Sequence, residues 1–352
     1  MMLKQTEVID GKDAIVEFNR AFYALKREIG RVIVGQVEVV EQVLICFFAR
    51  GHVLLEGVPG LGKTLLVKSL SSALGFDFKR IQFTPDLMPA DIIGTQLVME
   101  GEGGVKRFEF SPGPLFTNII LADEINRATP RTQSALLEAM EERQVSTGGV
   151  TRPLDEPFFV LATQNPIEME GTYPLPEAQV DRFMFKIFMD YPDSDELHEI
   201  LRRTTGDDEC GIGRIFEPER AGPVLRKLQG LVREVLISRS VEEYIVGLVT
   251  ATRPGGKQAP NDGAAGVDRY VSYGSSPRGG QVLVLASKVV ALLNGRASVS
   301  YEDVDRVFFP ALDHRLVLNF EAEADRVTSR DILREVRESV RKTAAVPATC
   351  AT

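Results

Sequence analysis

Gly57-Val58-Pro59-Gly60-Leu61-Gly62-Lys63-Thr64 is the stretch that decides the fold, and it satisfies the full pattern G-x-x-x-x-G-K-[ST]. The apolar run Val53–Leu55 precedes it and predicts a buried strand. Thr64–Leu70 follows with helical periodicity. This strand–loop–helix order is the context in which such a loop binds phosphate, so the match is more specific than its letters alone.

The chemistry of this loop follows from its residue types. Glycines let the backbone curl and point N–H groups inward, and the helix N-terminus adds the positive end of its dipole. We expect Lys63 to reach the β- and γ-phosphates of ATP and the Thr64 hydroxyl to bind Mg²⁺. A glycine-rich turn with an exposed lysine is the alternative. The predicted nucleotide contacts in this segment are Gly57, Pro59, Gly60, Leu61, Gly62, Lys63, Thr64 and Leu65.

A second informative stretch, Asn118–Glu124, has an apolar run that ends in two carboxylates. It predicts a buried parallel strand with acids at its C-terminal end, where open α/β sheets bind ligands. In that position Asp123 would belong to the Mg²⁺ shell. Glu124 would lie further out and polarise the attacking water. Two solvated acids at a strand end are the alternative, and the upstream phosphate loop favours the functional interpretation.

Asn165 follows another buried run, Pro157–Thr163, within Gln164-Asn165-Pro166. An amide at this strand end could hydrogen-bond the γ-phosphate or the lytic water. Asn-Pro is also a common turn initiator, which spacing alone favours.

Two arginines are candidates for contacts with phosphate. Arg182 is the last charged residue before the run Phe183–Phe188, and an arginine finger donated to a neighbour's nucleotide is one role for it. A surface salt bridge, with Asp181 for example, is the alternative. Arg278 opens a predicted helix, where a positive charge is unfavourable unless an anion binds there. A loop arginine facing water is equally compatible with the pattern.

Val34 and Gly35 separate two predicted helices, residues 16–33 and 37–50. This break could form a lip for an adenine ring, and we list both residues as nucleotide contacts. A simple interhelical turn fits the same spacing.

The order of predicted elements indicates an α/β protein with several parts. Four buried runs and the alternating segment Phe78–Phe83 predict a parallel five-stranded sheet flanked by helices, and helical patterns follow it without further buried strands. The predicted domains are an N-terminal helical arm at 1–33, a nucleotide-binding domain at 34–190, a smaller all-helical lid at 191–342 and a tail at 343–352. Strand pairs at about 95–110 and about 144–154 are expected as hairpins within the second part.

Composition narrows the class of protein. The chain has 352 residues, is 44% apolar and 26% charged, and carries a net charge of −9. That acidity weakens a nucleic-acid interpretation, because binding to a phosphate backbone uses clustered Lys and Arg. The three cysteines have no ligand-like spacing, and we expect neither a disulfide framework nor a membrane span. These features predict a cytoplasmic protein.

Taken in order, these landmarks resemble the AAA+ ATPases, most closely the MoxR family of the helix-2-insert branch. The resemblance covers about residues 34–316. The motifs that carry it are Gly57–Thr64, Ile119–Ala128, Ala162–Pro166, Leu175–Phe183 and Ser276–Arg278.

The resemblance implies a role for each catalytic position. Lys63 and Thr64 match Walker A, Asp123 and Glu124 match Walker B, and Asn165 matches sensor 1. Arg182 is similar to the arginine finger acting in trans, and Arg278 to sensor 2.

The resemblance also implies an assembly and a function. It implies a homo-oligomeric ring, usually hexameric, with ATP and Mg²⁺ as cofactors, and the helix-2 insert at about 95–110. The implied activity is chaperone-like: ATP hydrolysis that matures or activates a protein client, often with a von Willebrand factor A domain partner.

Three other functions stay open at this point. A nucleic-acid motor related to MCM helicases would show DNA-stimulated ATPase activity. A magnesium-chelatase-like subunit for metal insertion shares the fold and motifs, so only its partner distinguishes it. A binding switch would hydrolyse ATP too slowly to matter.

Overall fold

The described strands are short, with two to seven residues each. The structure, a computed structural model, describes residues 11–100, 106–165, 172–206, 211–255 and 265–344. Residues 1–10 of the predicted arm, the turn at 101–104, Pro166 and residues 345–352 of the tail lie outside the described residues. The described strands are β1 Val53–Glu56, β2 Phe78–Gln82, β3 Gly94–Glu100, β4 Lys106–Pro112, β5 Ile119–Asp123, β6 Gln144–Thr147, β7 Val150–Pro153, β8 Phe159–Gln164, β9 Phe185–Phe188, β10 Val271–Tyr273 and β11 Val317–Leu318.

The helices follow the predicted periodicities within a few residues. Helix α3 begins at Lys63, inside the phosphate loop, and helix α5 begins at Pro130, where proline is favourable. The helices are α1 Gly11–Gly30, α2 Val37–Phe48, α3 Lys63–Leu74, α4 Pro89–Ile93, α5 Pro130–Glu142, α6 Glu177–Val180, α7 Ser194–Thr205, α8 Pro218–Glu234, α9 Arg239–Ala251, α10 Ala265–Tyr270, α11 Pro277–Leu293, α12 Tyr301–Leu312, α13 Phe320–Ala324 and α14 Ser329–Thr343.

The chain divides into two compact units, residues 25–226 and residues 1–24 with 227–352. The finer division into arm, core, lid and tail at residues 33, 190 and 342 stays a prediction.

Residues 25–226 contain the predicted five-stranded sheet, in the order β2-β5-β8-β1-β9 with every neighbouring pair parallel. Both of its faces are covered. Ile120 and Val160 pack in one apolar core with Leu136 of α5, and the Phe47 ring of α2 meets the Phe159 ring at 5.4 Å. Burial on both faces explains why the central strands β5, β8 and β1 are continuous apolar runs.

The two predicted hairpins are present. β3 pairs with β4 and β6 pairs with β7, both antiparallel. They contact each other, because the guanidinium carbon of Arg152 lies 4.0 Å from the centroid of the Phe110 ring.

Two glycines join the β3–β4 hairpin to the sheet unit. Gly94 has a φ of +107°, and a Cβ on it would lie 2.4 Å from the carbonyl oxygen of Ser111. A Cβ on Gly113 would lie 2.4 Å from the carbonyl oxygen of Ile92. At this base the backbones touch, so only glycine fits.

The other unit is built mainly from α9, α11, α12 and α14, which bury residues such as Leu248, Leu283, Phe308 and Ile332. It also contains a short antiparallel pair, β10 with β11. The predicted all-helical lid therefore gains a two-stranded element. Strands of three and two residues are too short to show a period in the sequence.

Candidate nucleotide site

The polar residues predicted for catalysis meet at one edge of the sheet. In the parallel register Glu56 lies beside Gln164, and Gln82 lies beside Asp123. The carboxyl ends of β1, β2, β5 and β8 therefore form one row, which is the usual ligand-binding edge of an open α/β sheet.

The phosphate loop leaves β1 in this row and leads into α3. Gly60 and Gly62 have φ values of +88° and +80°, a left-handed backbone that favours glycine, and a Cβ on either would meet no atom within 4 Å. Gly57 is needed for another reason: a Cβ there would lie 3.0 Å from the carbonyl oxygen of Met189. The loop is thus shaped by its backbone and is open around its tip.

Lys63 is the first residue of α3, and its Nζ donates to the carbonyl of Gly57 across the loop. Burial lowers the pKa of Lys63, while the carboxylates of Asp123, Glu124 and Glu56 raise it. The ammonium is therefore inside the loop and faces the acids. Thr64 and Leu65 follow it with exposed side chains, and Pro59 is exposed at the loop tip.

Asp123 ends β5 and is held by two neighbouring strands. Its Oδ1 accepts a hydrogen bond from Thr163 Oγ1 of β8 at 2.5 Å. Its Oδ2 accepts from Arg80 Nε at 3.0 Å and from Arg80 Nη2 at 2.7 Å. Both carboxylate oxygens are thereby oriented from the protein side.

Glu124 follows with a φ of +56°, a conformation that costs a residue other than glycine about 1–3 kcal/mol. Its backbone N–H donates to Thr163 Oγ1 at 2.9 Å, which helps to hold this turn. Its Oε2 accepts from Gln82 Nε2 at 2.6 Å and lies 3.2 Å from Arg127 Nε. On a continuing strand Asp123 and Glu124 would point to opposite faces, but with this turn both are reached from the one face of β2 that carries Arg80 and Gln82.

Asn165 is buried and comes directly after β8. β8 lies between β5 and β1, so Asn165 belongs to the same row as the acids and the phosphate loop.

Val34 and Gly35 form the turn between α1 and α2. Gly35 has a φ of +76°, and a Cβ there would lie 2.5 Å from the Glu196 carboxyl carbon. Gln36 Nε2 donates to the carbonyl of Asp190 at 3.1 Å. Asp190 follows Met189, whose carbonyl oxygen lies against Gly57. One short segment, residues 189–190, therefore separates the interhelical turn from the phosphate loop.

The two predicted arginines are placed differently. Arg182 follows α6, and its Nε lies 3.2 Å from Glu141 Oε2 beside a cavity of about 500 Å³. Arg278 belongs to the other unit, at the second position of α11, where its backbone N–H donates to the Ser276 hydroxyl at 3.2 Å. Their roles toward a nucleotide stay predictions.

Sequence reasoning missed Arg80, Gln82 and Thr163. Arg80 and Gln82 alternate along β2 on one side and reach both acids, and Thr163 bonds both Asp123 and the backbone of Glu124. The signal available in the sequence was a pair of polar residues two positions apart at the end of a predicted strand, which places both side chains on one face. Arg80 and Gln82 reach the acids because β2 lies next to β5. The sequence does not show which strand neighbours β5.

Comparisons with known proteins agree with this geometry. A family model described as "ATPase family associated with various cellular activities (AAA)" matches residues 52–185, and an AAA lid domain model matches residues 263–336. Within the described ranges, no helix combines the length and apolar character needed to cross a bilayer.

Relatives extend the similarity over most of the chain. Chaperone MoxR1 of Mycobacterium tuberculosis is 43% identical over 89% of this chain and 80% of its own length. Protein MoxR of Methylorubrum extorquens is 34% identical over 94% of this chain and 97% of its own. A crystal structure from Cytophaga hutchinsonii superposes with a TM-score of 0.82 at 42% identity, covering 93% of this chain and 96% of that one. With this site and these relatives, the chain belongs to the MoxR family of AAA+ ATPases.

Proposed function

We propose that the chain binds and hydrolyses ATP at subunit interfaces of a homo-oligomeric, hexameric ring and uses the energy to remodel or activate a protein client. The observation that carries the hydrolytic part is the row formed by the phosphate loop, Asp123, Glu124 and Asn165 at one sheet edge. Family membership supports the same activity.

The residues of the loop suit a nucleotide's phosphates. The open, left-handed backbone at Gly60 and Gly62 presents N–H groups, and Lys63 supplies a charge. Val34 and Gly35 would border the adenine.

The oxygen donors at the site fit Mg²⁺, which prefers carboxylate, hydroxyl and phosphate oxygens. Thr64 and Asp123 would hold it. When bound, Mg²⁺ would neutralise charge on the β- and γ-phosphates.

Glu124 would accept the proton of the attacking water. Asn165 would position that water or the γ-phosphate. Arg182 of the next subunit would stabilise the transition-state charge, once its carboxylate partner Glu141 is exchanged for phosphate. Arg278 would report nucleotide occupancy to the helical unit.

A protein client is favoured by the β3–β4 hairpin. Four large apolar side chains are exposed on it: Leu97, Val98, Met99 and Phe108. The one basic side chain of the neighbouring β6–β7 hairpin, Arg152, lies over the Phe110 ring. Exposed apolar surface of this kind is typical of a protein-binding site, and the net charge of −9 disfavours binding to a nucleic-acid backbone. A von Willebrand factor A domain protein as partner, and a cytoplasmic location, belong to the same proposal.

A steady-state Mg²⁺-ATPase assay tests the hydrolytic proposal. We expect Glu124→Gln to bind ATP and to lower kcat by about 10²–10⁴-fold, because it keeps the shape and removes the base. Glu219→Gln, an exposed glutamate in the first turn of α8, is the matched control. Undiminished turnover in Glu124→Gln would remove the base assignment.

Mixed rings test the trans assignment in the same assay. Lys63→Ala lacks its own nucleotide site and Arg182→Ala lacks its finger, so mixed rings should regain activity that neither variant has alone. Absence of complementation in rings shown to mix would contradict a finger in trans.

A further inference from the structure

The edge strand β2 contacts both predicted catalytic acids through two side chains. Arg80 donates to Asp123, and Gln82 donates to Glu124. Arg80 Nη2 also donates to Gln82 Oε1 at 2.9 Å. A continuous hydrogen-bonded chain therefore runs Asp123–Arg80–Gln82–Glu124.

Arg80 occupies one of the two Asp123 oxygens that a metal could use. Each carboxylate oxygen offers about two lone-pair directions. Oδ2 of Asp123 accepts two hydrogens from Arg80, at 3.0 and 2.7 Å, and Oδ1 accepts one from Thr163. The remaining acceptor direction on Asp123 is on Oδ1.

Electrostatic repulsion between Arg80 and a metal ion acts in the same direction. A guanidinium 2.7 Å from Asp123 repels a second cation that approaches the same carboxylate. The Arg80 side chain is 50% exposed, so water can solvate it when it leaves Asp123. Ion pairs of this exposure contribute about 0.2–1 kcal/mol, which makes the contact easy to exchange.

Resting on the nucleotide site proposed above, we propose that Arg80 competes with Mg²⁺ for Asp123 and sets the Mg²⁺ concentration at which nucleotide binds. Arg80 is a positioning residue: it acts through Asp123.

The test measures binding, so turnover is not needed. Full-length protein with a fixed concentration of N-methylanthraniloyl-ADP is titrated with MgCl₂, and fluorescence gives the half-maximal Mg²⁺ concentration. Arg80→Ala should lower that concentration by about two- to five-fold, the equivalent of the ion pair that it removes. Arg80→Lys, which keeps the charge, should stay close to the wild-type value.

Lys79→Ala is the matched control. Lys79 is the adjacent exposed cation on β2, and its side chain points to the other face. Lys79→Ala removes one positive charge, as Arg80→Ala does, but no contact to Asp123. The half-maximal Mg²⁺ concentration of this variant should therefore equal that of wild type. A thermal unfolding curve for each variant verifies the fold, and Arg80→Gln replaces Arg80→Ala should the latter not fold.

The outcomes separate this inference from the proposed function. An unchanged or raised half-maximal Mg²⁺ concentration in Arg80→Ala, with Mg²⁺-dependent binding in wild type, overturns the role of Arg80 alone. An equal decrease in Lys79→Ala also overturns it, because the effect would then be general charge. Wild-type protein that does not bind the nucleotide at any Mg²⁺ concentration overturns both.

Discussion

The two ends of β1 are built in opposite ways. At its amino end, His52 is enclosed: its ring Nδ1 accepts from the Val160 N–H, its Nε2 contacts the Met140 carbonyl, and its own carbonyl accepts from the Met184 N–H. At its carboxyl end, the glycine loop from Gly57 is open around its tip.

The two ends of β1, only four residues apart, therefore have different roles: the amino end contributes to stability and the carboxyl end to function. The enclosed end satisfies its polar groups with protein partners, which is what burial requires. The open end presents backbone N–H groups for an outside anion. We therefore expect substitutions before Val53 to change the free energy of unfolding, and substitutions after Glu56 to change nucleotide binding.

Among the variants that test this comparison, Lys63→Ala is expected to have the largest effect. A hydrogen bond to a charged group is worth about 1.5–3 kcal/mol, so the Kd for ATP should rise about 10- to 150-fold while the unfolding midpoint in urea stays unchanged. Lys68→Ala, an exposed lysine on the same helix, is the control for charge. Equal weakening by both variants would mean that Lys63 has no special contact.

A pair of glycines sharpens the comparison directly. A Cβ on Gly51 would lie 2.6 Å from Met184 Cβ, and a Cβ on Gly57 would lie 3.0 Å from the Met189 carbonyl oxygen. Gly51→Ala should lower the free energy of unfolding by about 1–3 kcal/mol and leave the Kd for nucleotide unchanged. Gly57→Ala should mainly raise that Kd. Urea unfolding and fluorescent nucleotide titration measure the two quantities, and the reverse pattern would refute the division.

The smallest effect concerns pH and His52. Burial, and then the nearby Arg143 charge, lower the pKa of His52 to about 3. In the unfolded chain His titrates near pH 6.5, so the unfolded state binds the proton first as pH falls. This group should therefore cost about 1 kcal/mol of stability between pH 7 and pH 5.5. His52→Gln should flatten that part of the stability–pH curve, and an unchanged slope would contradict the buried neutral ring.

Local patterns predicted the sheet unit well. Four apolar runs and the alternating segment Phe78–Phe83 became the five parallel strands, and the Gly148–Gly149 turn joins β6 to β7. Both signals are local in sequence: burial on two faces gives a continuous run, and a left-handed turn demands glycine. The recognised motifs likewise placed Lys63, Asp123, Glu124 and Asn165 at one edge.

The side-chain environment of the site could not be predicted. That Arg80 meets Asp123, and Thr163 bonds both acids, depends on β2 and β8 flanking β5. Strand order is set by packing across the whole unit and has no local signature. Likewise, Glu141 as the partner of Arg182 follows from the fold of α5 against α6, 41 positions apart in the chain.

The glycine base of the β3–β4 hairpin has a consequence for how this chain can change over generations. Gly94 and Gly113 bring the two strands together where they leave the sheet unit, and the Gly113 N–H donates to the Ile93 carbonyl at 3.1 Å. Everything beyond this clasp is outside the core that holds the acids. We expect the length and the apolar surface of this hairpin to be able to change without disturbing the residues of the nucleotide site beneath it.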